Sequence, residues 1–297
     1  MSIKMNATEW LASNNSYNAE SNFTNPFNRA KTICFLSGKG GVGKTTCSLK
    51  FAQEVAQQGH RVLLIDCDFN LSNTGVKLNI IHDKNLVDRN SDTEDIRDYI
   101  YKGWECDLLF AGNGSLRFFE RTESEYLEMV IDAVQKLERD YDAIVLDLPA
   151  GCSKTTLSLS SYCDQRVIVV TPDKSSLTDS YSVIKLLNKM YGIGQNEILI
   201  NKIQHAKQAN KVSDSLIGTS NRFLGVDIKL LGIIPYIQET YEKIDRTIFD
   251  RKNSPLQENM QKIIKNFSEE LGTSHFFSVG AEKLSAMTGC QPTSQGV

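Results

Sequence analysis

The chain has 297 residues, 40% of them apolar, with 23% charged and a formal net charge of -3. That is enough apolar material for one large or two small packed domains. It excludes wholesale disorder and argues against a protein whose main task is to coat nucleic acid, where a basic face dominates affinity.

Residues 1–30 differ in composition from the rest of the chain. Asn14, Asn15, Ser16, Asn18, Ser21 and Asn22 recur there, with Trp10, Leu11, Phe23 and Phe27 as the large apolar groups beside the methionines. This composition predicts a tail, or a segment that folds onto a partner, with a short helix at Ala7–Ser13. Met1–Glu20 lacks the apolar h-region of a secretion signal, and no run reaches the ~18 apolar residues of a membrane span, so a soluble cytoplasmic chain is expected. Seven cysteines stand singly, without a C-x-x-C pair, as Cys34, Cys47, Cys67, Cys106, Cys152, Cys163 and Cys290. They read as reduced, small buried hydrophobes and not as a zinc or dithiol site.

From Lys31 the pattern is regular. Strands are predicted at Thr32–Leu36, Arg61–Ile65, Asp107–Ala111, Ala143–Leu148, Arg166–Thr171, Glu197–Asn201 and Ile228–Ile234. Helices are predicted at Gly43–Gln58, Ser124–Arg139, Lys154–Tyr162, Ser175–Tyr191, Lys211–Leu224 and Pro255–Leu271. Short apolar strands alternating with helices give an α/β fold, doubly wound, with a mostly parallel sheet and helices on both faces. In the last helix Leu256, Met260, Ile263, Ile264, Phe267 and Leu271 form one stripe, read as core packing. The expected organisation is a tail over 1–30, one folded domain over 31–271 and a second tail over 272–297.

Gly38, Gly43, Lys44 and Thr45 make G-x-x-x-x-G-K-[ST] between a buried strand and a helix. In such a loop glycines take backbone conformations closed to other residues, so that N–H groups wrap a phosphate at the positive helix end. Gly38, Lys39, Gly40, Gly41, Val42, Gly43, Lys44, Thr45 and Thr46 are therefore the expected nucleotide contacts. Lys44 charges the β- and γ-phosphates, and the Thr45 hydroxyl is a Mg²⁺ ligand. Two strands end in a carboxylate. One leads to Asp66-Cys67-Asp68 and the other to Asp147-Leu-Pro-Ala-Gly151; a carboxylate at such an end holds the metal's water shell.

These residues resemble the MinD/ParA family of P-loop ATPases, whose deviant loop carries an extra lysine where Lys39 stands. The resemblance runs over about residues 31–250. Asp66–Asn73 is similar to the family's first switch, Asp147–Gly151 to its second, and Ile200-Asn201-Lys202 to the strand end that contacts adenine. Within the family, Thr171–Tyr181, Arg222–Val226 and Leu231–Tyr236 resemble the FlhG (FleN) branch, which regulates flagellar number and placement. The resemblance implies ATP and Mg²⁺ as ligands, and an ATP-dependent homodimer in which Lys39 reaches the partner's phosphates. It implies metal binding through Thr45, Asp66 and Asp147, water positioning by Asp68, catalysis with Lys39 and Lys44, and adenine contacts from Asn201, Lys202, Pro235 and Tyr236.

Partners implied by that branch are flagellar basal-body components or a GTPase of the signal-recognition type. Met5–Leu11 departs from the motif that stimulates such a GTPase. The branch's membrane-docking helix has a thin counterpart at 276–288, where Phe276, Phe277, Leu284 and Met287 accompany one cation, Lys283, beside Glu282 and Gly280. Peripheral attachment at the inner membrane face in the ATP state is expected if that segment docks. Three other readings compete. A ParA-like partition ATPase would bind DNA through Lys202, Lys207, Lys211 and Arg222. An iron–sulfur ATPase would need facing cysteines, for which Cys152 is the candidate. A degenerate nucleotide-binding module sits poorly with the intact Lys39, Lys44, Thr45, Asp66, Asp68 and Asp147.

Overall fold

A computed structural model describes residues 29–69, 74–90, 93–112, 121–237 and 257–265. Residues 1–28 of the first tail, with the Ala7–Ser13 helix, and the second tail, with the 276–288 segment, lie outside the described residues, while Ala30 is buried in the core.

Eight strands form one sheet in the order β3-β4-β2-β5-β1-β6-β7-β8. They are β1 (Lys31–Leu36), β2 (Val62–Asp66), β3 (Ile100–Tyr101), β4 (Asp107–Phe110), β5 (Ala143–Asp147), β6 (Gln165–Val170), β7 (Gln195–Ile203) and β8 (Asp227–Pro235). Every pairing is parallel except that of β3 with β4. The helices are α1 (Lys44–Gln57), α2 (Thr74–Leu78), α3 (Glu123–Leu137), α4 (Lys154–Tyr162), α5 (Lys174–Tyr191) and α6 (Ala206–Leu224), and residues 257–265 form α7.

Side chains alternate across a strand, and the interior divides accordingly. Ile33, Phe35, Leu64 and Val145 pack on one face with Leu49, Phe51 and Val55 of α1 and with Met260, Ile263 and Ile264 of α7. Cys34, Leu36, Ile65, Ile144 and Leu146 pack on the other, beneath Val130 and Leu137 of α3, Leu159 of α4, Val183 of α5 and Leu216 of α6. The doubly wound prediction therefore describes the architecture. The apolar stripe of the last helix faces the core at Met260, Ile263 and Ile264; Leu256, Phe267 and Leu271 lie outside the described residues. Gly232 of β8 allows this approach, since a Cβ there would collide with the Ile263 side chain.

The departures from prediction are local. Helix α6 starts five residues before Lys211, where Gln208 Oε1 accepts from the Gln204 and His205 amides. Polar Lys207, Gln208 and Asn210 carry no apolar period, so this turn rests on capping that periodicity does not register. Strand β3, the 3₁₀ turn at Ile96–Tyr99 and the short α2 were not foreseen. Each is too short to show a period.

Candidate nucleotide site

Central β1 runs into the glycine loop, and α1 leaves it. The helix starts from Gly43 at φ 91°, with neither a side-chain cap nor an acidic residue in its first turn. The first N–H groups of a helix have no partner within it, so the Lys44, Thr45 and Thr46 end is open to an anion. Thr45 and Thr46 are both half-buried on that turn. Gly43 is also required by what lies behind it, since a Cβ would strike the Asn201 carboxamide.

The two acidic strand ends come together. Asp66 and Asp147 are side by side in the β2–β5 register, each 1% exposed. Lys44 Nζ donates to Asp147 Oδ1 at 2.7 Å, with its side chain 9% exposed. The Asp66 carboxylate accepts the Asp68 amide at 3.0 Å, and the Cys67 amide donates to the Asp147 carbonyl at 2.9 Å, which locks both strand ends together. Half-buried Asp68 thus stands one turn of backbone beyond Asp66. The neighbouring thiols register this field. Burial, then the Asp147 charge, pushes Cys47 up to about 12; burial, then Asp66 and Asp147, pushes Cys67 well up. Burial is the larger cause in both; what favours a cation here is the pairing of two buried carboxylates side by side. Cys34, Cys106 and Cys163 are buried as well, and Cys152 is exposed.

Lys39 points elsewhere. Its exposed ammonium donates to Ser175 Oγ at 2.7 Å and to Asp173 Oδ1 at 3.1 Å. Asp173 caps α5 by accepting the Ser176 amide, and also accepts from the Thr171 and Ser175 hydroxyls. Hydrogen bonds from Thr171, Ser175 and Ser176, with a smaller share from Lys39, hold its carboxyl below the usual range. Reading from the motif alone missed Asp173 and Ser175 as loop contacts. Their signal was a strand followed by Thr-Pro-Asp-x-x-Ser, an N-cap at the end of the strand next to the loop strand.

Asn201 and Lys202 support the loop from behind. The Asn201 Nδ2 donates to the Val42 carbonyl at 2.8 Å, and its Oδ1 accepts the Lys202 amide at 2.8 Å. Lys202, at φ 60°, sends its ammonium to the Gly41 carbonyl at 2.7 Å. Pro235 ends β8, and exposed Tyr236 ties back to β7 through its amide and the Ile203 carbonyl at 2.8 Å. All the nominated residues therefore sit at one edge of the sheet or on the loops leaving it. Lys202 is engaged with the loop, which separates it from Lys207, Lys211 and Arg222, exposed along α6.

The residues fit a magnesium nucleotide: an uncapped helix start beside a buried ammonium meets phosphate, and the Asp66–Asp147 pair meets a hydrated cation, with Thr45 the residue after Lys44 on the helix's first turn. Fold and loop together define a P-loop nucleotide-binding protein.

A family model described as an AAA domain matches residues 30–199, more than half of the chain. The chain belongs to the MinD/ParA family of P-loop ATPases. Among similar proteins, the antiactivator FleN of Pseudomonas aeruginosa is 28% identical over 73% of this chain and 77% of its own. The septum site-determining protein MinD of Bacillus subtilis is 30% identical over 69% and 75%. The flagellum site-determining protein YlxH of Helicobacter pylori is 28% identical over 79% and 78%. The fold matches MinD from Pyrococcus horikoshii complexed with Mg-ADP at TM-score 0.64 and 21% identity, over 83% of this chain and 99% of that one. Among the described residues no helix is long and apolar enough to cross a membrane.

Proposed function

We propose that the protein is a MgATP-dependent dimerisation switch with slow ATP hydrolysis, which regulates flagellar number or placement. The observation that carries this reading is the division of labour between two lysines of one loop. Lys44 is buried against Asp147 inside its own protomer's site, whereas Lys39 stands at the surface, held only by exposed groups.

Lys44 and the α1 N-terminus bind the β- and γ-phosphates, and Thr45, Asp66 and Asp147 hold magnesium with its waters. A magnesium ion held by these residues would supply positive charge to the phosphoryl oxygens. Asp68 orients the attacking water. Lys39 leaves Asp173 and Ser175 to meet the triphosphate of a second copy. A cation supplied in trans resembles an arginine finger, worth about 10³–10⁵ in rate, so an isolated protomer is nearly inert. Asn201, Lys202, Pro235 and Tyr236 line the base end. The FleN and YlxH relatives support the flagellar role; with it go a cytoplasmic location and basal-body components or a signal-recognition-type GTPase as partners.

Light scattering with ATP, ADP and no nucleotide tests the switch. The expected result is a doubled mass with ATP alone; equal mass in all three, across concentrations bracketing the nucleotide affinity, overturns it. Asp68→Ala is expected to keep ATP binding and lose turnover, and undiminished turnover removes Asp68 from its role.

A further inference from the structure

Strand β7 is irregular where it meets the glycine loop. Ile200 pairs with Ile233 and Ile203 with Pro235, so Asn201 and Lys202 stand together against Ile234 alone. That is a bulge with one extra residue on β7, and Lys202 takes it up at φ 60°. A left-handed backbone is costly for a residue with a Cβ, and it persists where the surroundings impose it.

In a regular strand consecutive side chains point to opposite faces. The bulge breaks that alternation, and both neighbours reach the same loop. Lys202 Nζ donates to the Gly41 carbonyl at 2.7 Å, and Asn201 Nδ2 donates to the Val42 carbonyl at 2.8 Å. The Asn201 Oδ1 accepts the Lys202 amide at 2.8 Å, which sets the way its carboxamide faces. Two consecutive loop carbonyls are thus held by two consecutive side chains of one strand, one buried and one exposed.

The peptide plane carries this contact across the loop. In a trans peptide the C=O of one residue and the N–H of the next point in opposite directions. Holding the Gly41 and Val42 carbonyls toward β7 therefore turns the Val42 and Gly43 N–H groups away from it. An anion-binding loop needs that sorting, with amides turned to the phosphate and the negative carbonyl ends turned from it. Gly41 at φ 76° and Gly43 at φ 91° have no Cβ to restrict them to one orientation, so the loop does not sort itself.

We propose that Lys202 is a positioning residue for the phosphate end of the site: its ammonium, delivered by the bulge, holds the glycine loop in its anion-binding form. The inference rests on the nucleotide reading above, and it gives Lys202 a role separate from contact with the base.

Tripolyphosphate carries the phosphates without a base, which separates the two roles. Displacement of a fluorescent ATP analogue from the full-length chain reads the affinities for MgATP, MgADP and magnesium tripolyphosphate. In Lys202→Met all three are expected to weaken by the same factor, about tenfold, as the binding-competent fraction of the loop falls. Lys202→Arg, which retains a cation for the Gly41 carbonyl, is expected to recover most of that loss. Lys202→Gly relaxes the backbone but lacks the ammonium, and is expected to bind as weakly as Lys202→Met. A loss confined to MgATP and MgADP overturns the proposal and assigns Lys202 to the base. Unchanged affinities in Lys202→Met, or full binding in Lys202→Gly, overturn it as well. A parent protein that binds neither MgATP nor tripolyphosphate would instead remove the nucleotide reading itself.

Discussion

The inner and outer rims of the glycine loop carry the same residue under opposite conditions. On the inner rim Lys44 meets Asp147 with side chains 9% and 1% exposed; on the outer rim Lys39 meets Asp173 with 43% and 47%. An inner pair is costly to assemble and more costly to halve, because a lone buried charge has no water to turn to. An outer pair gains little over hydration and opens readily. The loop thus holds one cation in place whatever the ligand and keeps the other releasable. A dimerisation switch needs that asymmetry.

Removing each lysine tests the comparison from both sides. Lys39→Ala is expected to lose about 10³–10⁵ in turnover, or roughly 4–7 kcal/mol of barrier, while urea unfolding shifts by less than about 1 kcal/mol. Steady-state phosphate release and a urea midpoint check the two halves, and a large stability loss with unchanged turnover would reverse the assignment. Lys44→Ala is expected to do the opposite in the free protein. It strands Asp147, costs about 3–5 kcal/mol in urea unfolding, and abolishes ATP binding by calorimetry.

A third pair extends the scale. On the far side of α1, Lys50 is 0% and Glu54 2% exposed, 2.8 Å apart, with Gln53 accepting from Lys50 and Gln261 of α7 donating to Glu54. Lys50→Met is expected to cost about 3 kcal/mol or more by leaving Glu54 uncompensated, and Lys50→Met/Glu54→Leu to recover most of it. Both are read by chemical unfolding. A double variant as unstable as the single one would show that the pair itself, and not the stranded charge, supports α7 against the loop helix.

How much of this was legible in the chain depends on length and period. The strands and the long helices announce themselves through apolar runs, and the loop through glycines whose spacing is a covalent consequence of wrapping a phosphate. Asp66 and Asp147 could be nominated because each ends an apolar strand; that they are register neighbours depends on β2 and β5 being adjacent although their starts are 81 positions apart. No local pattern states such an adjacency. The contacts of Lys39 with Asp173 and of Asn201 with Val42 were hidden for the same reason, the partners standing 134 and 159 positions apart. Lys50 reads as a surface residue of an amphipathic helix, and only the packing of α7 over that face shows that it is buried.

The smallest effect concerns the outer pair and its titration. Hydrogen bonds from Thr171, Ser175 and Ser176, then Lys39, lower the Asp173 carboxyl from 3.8. A carboxylate depressed on folding adds stability that is complete above its unfolded value and is lost as pH falls through the folded one. Comparing Asp173→Asn with the parent should therefore give a stability difference that is constant from pH 5 to 9 and shrinks only below about pH 4. The Asp173 end of the contact stays ionised across the neutral range, so acidity is not what frees it. Urea unfolding of both proteins at intervals from pH 3 to 9 measures the difference. One that collapses between pH 5 and 7 would assign the outer rim a proton-controlled release and remove the nucleotide-driven one.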